Sequence, residues 1–530
     1  MRMLETKFVK LCDVSNIPKN GMKIFNMHDI EFVVANQNQK YYAVYNKCPH
    51  MGGSLGDGSV DDYGYLTCPL HNWQFDLQSG KGPEGYEDSV PTFDLEVNGD
   101  TISINQNQLL ELAKNKDYLV RFNHNTTQRF ERTHDTTIPA MDHIAAKAKW
   151  KVKEIEPMGT LKPVPMFDDI LFKAAQLYRT PLLEEDELNL KTIIGKTAKN
   201  PLEISMPVYV SHMSFGALSE EAKTALAIGS KKMDIATCSG EGGRNQKEFD
   251  NAGKYIYEVS TPKFTRNEKW IKSANAVEIK IGQAAKPGLG GHLLKEKITP
   301  EIAKLRGIPE NEDQISPARN TEINSKQDLK DYVSQLKDIT DGKPIGIKFA
   351  AGHVEGDLEY ALFAEPDFIT IDGRGGGTGA APVFVKDNFA MPAVYAVARA
   401  RKFLDKHQSE TSLIMTGGYR TSGDICKTIA MGADAVAVAT SVMIAIGCQQ
   451  YRTCHTGNCP VGIATQKQNL RDRFAVEDSV QRFVNYMSIL KMEIEEITRA
   501  IGKNDIHSLG YDDLITTNMD ISAGTGIEHA

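Results

Sequence analysis

From Pro207 onward the chain sets short apolar runs against polar or glycine-rich stretches, eight times over. The runs cover 208–213, 234–238, 255–259, 276–281, 345–350, 368–371, 413–415 and 435–439. Segments with helical spacing stand between them, as at 219–232, 329–338 and 392–407. Runs too short for helices, alternating with helices, predict an α/β (β/α)₈ barrel of parallel strands. The first 106 residues read differently. Short strand patterns at 31–35, 41–45, 65–67, 93–97 and 101–104 are separated by Asn, Asp and Gly, which predicts a small all-β domain. The stretch between is charged and weakly patterned, with a short helix at 108–116 and a polar surface linker through Arg129 and His134. The expected organisation is therefore 1–106, a lead-in over 107–163, and the barrel over 164–530. One run, 430–448, is almost free of charge and of membrane-spanning length, but Asp434 interrupts it and glycines bracket it. It reads as a buried barrel strand with its helix.

Composition narrows the classes without naming one. A chain of 530 residues needs more than one core. The net charge of −8 is spread along the chain without a basic block, which argues against nucleic acid and against polybasic membrane attachment. The N-terminus lacks the apolar core of a secretory signal. The eight cysteines lie mostly beside Gly, Pro or His rather than in a disulfide ladder, as expected in a reducing cytoplasm.

Chemistry concentrates in two places. The seventh and eighth barrel runs end in Gly417–Gly418 and in Thr440, where glycines let backbone N–H groups approach a phosphate. Three cysteines follow directly, Cys448, Cys454 and Cys459, in a loop with Gly457 and Pro460, and they read as iron–sulfur ligands. A flavin wired to a cluster is the expectation. In the first domain, Cys48-Pro-His50 and Cys68-Pro-Leu-His71 each offer one thiol and one imidazole. That is the Rieske [2Fe–2S] ligand set; a Cys₂His₂ zinc site usually pairs Cys with Cys and His with His. With Trp73-Gln-Phe-Asp76 after the second histidine and no additional cysteine in either loop, the domain resembles the Rieske ferredoxins.

The loops after the barrel runs are SHMSFGALS, CSGEGGR, GQAAKPGLGGH, GRGGGTGAAP and TGGYR. Together with the three-cysteine spacing, they resemble the FMN-binding synthase domain of the glutamate synthases, in its stand-alone archaeal-type form. The resemblance implies a barrel, FMN, a [3Fe–4S] cluster (or a [4Fe–4S] cluster with a labile ligand) and reductive formation of L-glutamate from 2-oxoglutarate. Similarity places Lys280, Arg306 and His292 at the 2-oxoglutarate site and Glu241 beside the ammonia entry, with Glu241 or Lys286 handling protons. Gly417, Gly418 and Thr440 are expected at the FMN phosphate, with Gly376, Gly377 and Thr378 adding N–H donors. Met213 and Ser214 are placed to meet the flavin ring. Gln283 joins Lys280 and Lys286 around the fourth strand. Lys348, a lysine in an apolar strand run, needs an anionic partner, which the flavin N1–C2=O edge supplies.

No glutaminase nucleophile and no GxGxxG after a strand is found. The expectation is free ammonia or an amine as nitrogen source, or a separate glutaminase, with a separate electron donor such as ferredoxin or an NAD(P)H reductase. Two rival readings stay open: reduction of another imine, as in N-alkylglutamate synthesis, and an electron carrier without synthase activity.

Overall fold

A computed structural model describes residues 7–49, 52–83, 88–115, 137–138, 141–151 and 154–530. The chain divides into two compact units, Met1–Lys153 and Glu154–Ala530.

The first unit contains three antiparallel sheets. Strands Met22–Met27, Ile30–Gln37, Lys40–Tyr45 and Thr92–Phe93 form one, and Ser59–Val60, Tyr65–Thr67 and Gln74–Asp76 form a second. The third pairs Phe8–Asp13, Thr101–Asn105 and Leu95–Asn98. Four of the five expected strands are present; the other, 93–97, is divided at Asp94, with Phe93 in one sheet and Leu95–Asn98 in another. The short helix is Gln106–Lys114, two residues earlier than its spacing suggested, because Asn105 caps it through the Asn107 amide. The linker around Arg129 and His134 lies outside the described residues.

The second unit is built on eight parallel strands: β1 Val208–Val210, β2 Ala236–Cys238, β3 Lys254–Val259, β4 Ala276–Lys280, β5 Ile345–Ala350, β6 Phe368–Asp372, β7 Ser412–Thr416 and β8 Ala435–Val438. Every one falls within or over an expected run. Their order, 1-8-7-6-5-4-3-2, puts β1 and β2 at the two ends of the row, and contacts between them make the sheet a near-closed barrel. The run at 430–448 resolves into the end of a helix, strand β8 and the short helix Thr440–Ala445. Among the described residues no helix is long and apolar enough to cross a membrane.

Side chains alternate along a strand, so every second residue faces the barrel interior. At the start of the strands these are apolar: Tyr209, Ala236, Ile256, Ala276, Phe368, Ile414 and Ala435 form one buried cluster. Ile194, Leu202 and Ile204 of the hairpin Thr192–Ile194/Leu202–Ile204 join that cluster and close this end. One step of two further along, the inward positions turn polar: Glu258, Glu278, Lys348 and Thr370, all buried. The barrel is thus apolar at its base and charged at its C-terminal mouth. Helices outside are held by local signals. Ser219 caps Glu220–Lys232, which carries acids in its first turn and lysines in its last, and Thr421 and Asp424 box the start of Ser422–Ala430.

Gly346 sets the spacing inside the barrel. A Cβ there would lie 2.1 Å from the Phe368 ring, so the missing side chain is the room that ring occupies. Gly346→Ala should overpack this layer and destabilise the protein by about 1–3 kcal/mol, seen as a lower urea midpoint. An unchanged midpoint would show that β5 and β6 do not face each other in this way.

Candidate active site and cluster loops

In the first unit the two cysteine loops share one backbone pattern. The Cys48 amide bonds the Gly53 carbonyl at 2.8 Å and the Cys68 amide bonds the Trp73 carbonyl at 2.7 Å. Gly52 and Asn72 bond back to the two cysteine carbonyls, and both take positive φ, 71° and 57°. The loops thereby present Cys48 and Cys68 in equivalent settings. Both thiols are buried while His71 is exposed. The Cys48 thiol hydrogen-bonds Cys68 and, with the Leu70 and His71 amides, brings Cys68 down to about 7 against burial. A buried thiol pair inside and an imidazole outside fit the two differently ligated irons of a Rieske centre. His50, the fourth expected ligand, lies outside the described residues.

In the second unit the loops after β1, β2, β4 and β6 converge. Glu241, Lys286, Arg306, His292, Ser214 and Thr378 line one cavity of about 60 Å³, whose lining also includes Cys454. Glu241 takes the centre of its charges. Its carboxylate lies 2.6 Å from Lys280 and 3.9 Å from Lys286. Burial pushes this carboxyl up, but Lys280, Lys286 and Arg306 more than offset that and hold it at about 2. In this arrangement Glu241 is a weak base, poorly suited to the proton acceptance expected of it. Burial opposes the Lys280 charge, yet Glu241 and Glu258 hold it above the usual lysine range. Lys286 goes the other way, lowered by burial more than Glu241 raises it. Strand β4 ends at Lys280, so Gln283 sits in the loop beyond, outside the strand's alternation.

Arg306 is the last residue of the helix Pro300–Arg306, closed by Gly307 in the left-handed region. It is nonetheless buried, donates to the Phe215 carbonyl and to Gln314, and is lowered to about 10 by burial. His292 bonds Asp313 at 2.9 Å, from the hairpin that pairs His292–Leu293 with Gln314–Ile315.

Lys348 on β5 is 5% exposed, with Nζ 3.3 Å from His212 Nδ1. Glu278 and Asp372 are its charged neighbours. Cβ atoms added at Gly282 or Gly352, in the loops after β4 and β5, would meet nothing nearer than 3.8 Å, so these two loops leave room beside them. The glycine loops after β6 and β7 press backbone on backbone. A Cβ at Gly417 would lie 2.2 Å from the Gly373 carbonyl, one at Gly376 2.6 Å from Asp372, and one at Gly377 3.1 Å from the Gly159 amide. Gly417 and Gly418 take φ of 115° and 99°, closed to other residues without strain, and Thr440 opens the helix after β8. Met213 gives its carbonyl to Lys223. A buried lysine on β5, with room at Gly282 and Gly352 and glycine loops after β6 and β7, fits a flavin with its phosphate on the β7–β8 side.

The three cysteines lie within electrostatic reach: burial, then Cys459 and Cys448, push the Cys454 thiol up to about 12. The Gln450 amide donates to Cys448 Sγ at 3.5 Å. Among the described residues, only His212, Glu258 and Glu278 bring three ligand atoms within 4.8 Å of one another. The thiols stand wider than a single ion requires, as a multi-iron cluster needs. Cys426, by contrast, is fully buried on its helix and pushed up to about 12 by that burial, so it is a core thiol.

Sequence reading missed several charged groups here. Lys297, buried, donates to the Ala217 and Cys454 carbonyls and links cavity to cysteine loop; nothing in its surroundings marked it. His212, Glu258 and Glu278 had a signal: ionisable residues in or beside strands buried on both faces. Lys223 and Glu248 pair at 2.7 Å behind β1 and β2, and burial raises Glu248 to about 7.

A charged-mouth parallel barrel with a three-thiol loop, in one chain with a cysteine–histidine β-module, defines an iron–sulfur oxidoreductase. Residues 167–504 match the conserved region in glutamate synthase, and residues 7–94 match the Rieske [2Fe–2S] domain. The chain belongs to the glutamate synthase family and is an iron–sulfur, glutamate synthase-like oxidoreductase. It is 33% identical to a glutamate synthase large subunit-like protein of Rhizobium meliloti, over 70% of this chain and 89% of that one. It is 37% identical to an archaeal glutamate synthase (NADPH) of Methanocaldococcus jannaschii, over 66% of this chain and 75% of that one. Among solved structures, a chimeric (S)-mandelate dehydrogenase aligns at TM-score 0.46 and 16% identity, covering 66% of this chain and 88% of that one, too slight a likeness to bear on chemistry.

Because Glu241 is held at about 2 against an ordinary 4.5, its contribution to stability is complete above pH 4.5 and is lost as pH falls toward 2. Glu241→Gln should therefore flatten the acid loss of stability across that window. Parallel curves for the two proteins would remove the ion pair from the account.

Proposed function

We propose that the second unit makes L-glutamate from 2-oxoglutarate and free ammonia or a small amine, through 2-iminoglutarate. The carrying observation is the cavity that Arg306, Lys286 and Glu241 line together, with Lys280 bound to Glu241 beside them. A substrate with two carboxylates needs cations it can reach, and these are already gathered around one carboxylate that the substrate can displace. Arg306 would take one substrate carboxylate and Lys280, released from Glu241, the other. His292, anchored by Asp313, would bound the pocket on the hairpin side. Lys286, its charged form weakened by burial, is the better proton donor to the carbinolamine oxygen as water leaves.

The cofactor assignments belong to the same proposal. FMN would be held by Met213, Ser214, Gln283 and Lys348 at the ring and by Gly376, Gly377, Thr378, Gly417, Gly418 and Thr440 at the phosphate end. Cys448, Cys454 and Cys459 would hold a [3Fe–4S] cluster, and Cys48, His50, Cys68 and His71 the Rieske cluster. When bound, the flavin supplies a hydride and the clusters supply its electrons singly. Lys348 keeps a positive charge under the ring, and the apolar barrel base excludes water from below. The donor would be a ferredoxin or an NAD(P)H reductase, and a glutaminase, where glutamine is used, a separate protein. The modules would run 1–106, 107–163 and 164–530; the pairing of Ile155–Glu156 with Ala381–Pro382 ties the end of the lead-in to the barrel. All eight cysteines are free, which supports a reducing cytoplasm.

The test is anaerobic turnover with an artificial low-potential donor, 2-oxoglutarate and each nitrogen source in turn, read by amino-acid analysis. Glutamate should form with ammonia, or its N-alkyl form with an amine, and none with glutamine alone. Glutamine-only activity would sink the proposal. Arg306→Met should raise KM for 2-oxoglutarate by roughly 10- to 150-fold, the equivalent of about 1.5–3 kcal/mol for a charge-assisted hydrogen bond. Low-temperature EPR should give a three-iron signal from oxidised protein and a Rieske signal after reduction. Zinc at the first site, or a silent oxidised spectrum, would contradict the cluster assignments.

A further inference from the structure

One buried group at the mouth is unlike the rest. Glu258 is 0% exposed, and neither of its carboxylate oxygens has a hydrogen-bond partner among the described residues. It lies between two clusters that are pinned. On one side Lys280 is 3.6 Å away and is itself held by Glu241 at 2.6 Å. On the other side His212 Nε2 is 3.8 Å away and sits 2.7 Å from Glu278. The His212 tautomer follows from its second contact. The Lys348 ammonium can only donate, so Nδ1 accepts and the ring proton is on Nε2, toward the carboxylates.

Carboxylates and cations are closely matched here. Glu241, Glu258, Glu278 and Asp372 stand among Lys280, Lys286, Arg306 and Lys348, with Lys297 on the cysteine side of the cavity. A divalent ion among His212, Glu258 and Glu278 would find a proton on Nε2 in its way. A reduced flavin is a different matter. If FMN takes two electrons and one proton, it leaves one negative charge beside Lys348, where burial makes an uncompensated charge costly.

We propose that Glu258 takes up a proton when the flavin above Lys348 is reduced and returns it on reoxidation. The other groups facing this spot are worse placed to do so. Glu278 accepts a hydrogen bond from Thr370, Asp372 accepts one from the Ala284 amide at 2.9 Å, and Glu241 is held by Lys280. A proton on His212 Nδ1 would face the Lys348 ammonium. Tyr209 and Cys238 are kept neutral, their burial raising both well above their ordinary ranges. Glu258 is the one carboxylate of this set with both oxygens free of hydrogen bonds among the described residues, and nothing pins it against turning between Lys280 and His212.

The balance closes. When bound, the flavin would take two electrons from the low-potential donor with one proton; the second proton goes to Glu258, so reduction adds no net charge. Once a hydride has gone to the imine carbon, the Glu258 proton passes out to the amine nitrogen. Over a turnover, 2-oxoglutarate, ammonium, two electrons and two protons give glutamate and water. Glu258 thus holds one of the two protons that the reaction consumes.

This rests on the flavin placement proposed above, but its test needs no substrate. The FMN midpoint potential of the full-chain holoenzyme is followed against pH across neutrality, in wild type and in Glu258→Gln. Wild type should show two protons taken up per two electrons and the variant one. Equal slopes overturn the proposal. If the variant does not fold, infrared difference spectra of wild type answer the same question. Reduction by dithionite should bring up a protonated carboxyl band that shifts with ¹³C-glutamate labelling; no such band overturns it. One equivalent of a divalent metal beyond the iron, lost in Glu258→Gln, would make this a metal site instead and overturn it too. A wild type that shows the two-proton slope but forms no glutamate refutes the reaction proposed above and leaves the role of Glu258 intact.

Discussion

The mouth of the barrel depends on charges that cancel inside a low-dielectric wall. Glu258, Glu278 and Lys348 are buried on strands whose outward faces pack against helices. None of them would be tolerated singly there. Together with Lys280, Asp372 and the loop residues Glu241, Lys286 and Arg306, they form a set in which each carboxylate has a cation in reach. That cancellation fixes protonation states, and protonation states decide which group can bind and which can transfer a proton. Glu241, at about 2, is a counter-ion rather than a base, whereas Lys286, lowered by burial, is the more readily titrated partner.

Backbone does the complementary work where no charge is available. The glycine loops after β6 and β7 approach so closely that Cβ atoms at Gly417 or Gly376 would collide with a neighbouring carbonyl or carboxylate. Such contact exposes amides to a ligand at the barrel rim and costs nothing in desolvated side chains. The first unit applies the same economy. Its two cysteine loops are set by amide–carbonyl bonds and left-handed turns at Gly52 and Asn72, so the thiols are positioned by main chain and buried by the sheets. Lys297 joins the two kinds of feature in the second unit, because its ammonium bonds the Ala217 carbonyl beside the cavity and the Cys454 carbonyl in the cysteine loop.

Much of this was legible in the residue order. Parallel barrel strands are buried on both faces, so they write themselves as short apolar runs, and all eight runs became strands. Loops of fixed local spacing were equally plain, since Cys48 and Cys68, and likewise Cys448, Cys454 and Cys459, are grouped by their neighbours in sequence. What sequence could not supply was pairing at a distance. Glu258 in YIYEVS and Glu278 in AVEIK stand out as ionisable residues in apolar runs, but their partners His212, Lys280 and Thr370 come from other strands and loops. Lys297 and Arg306 likewise look like ordinary surface lysine and helix-end arginine until the insertion between β4 and β5 folds back over the mouth.

Sequence alone therefore determined the architecture, the two cysteine-bearing modules and the family, because periodicity and close spacing are local properties. Tertiary structure alone decided how the charged groups are shared out. It made Glu241 the counter-ion of Lys280, fixed the His212 tautomer against Lys348, and left Glu258 buried without a hydrogen bond. Electrostatic energy depends on distance in space and on burial, and neither is written in the order of residues.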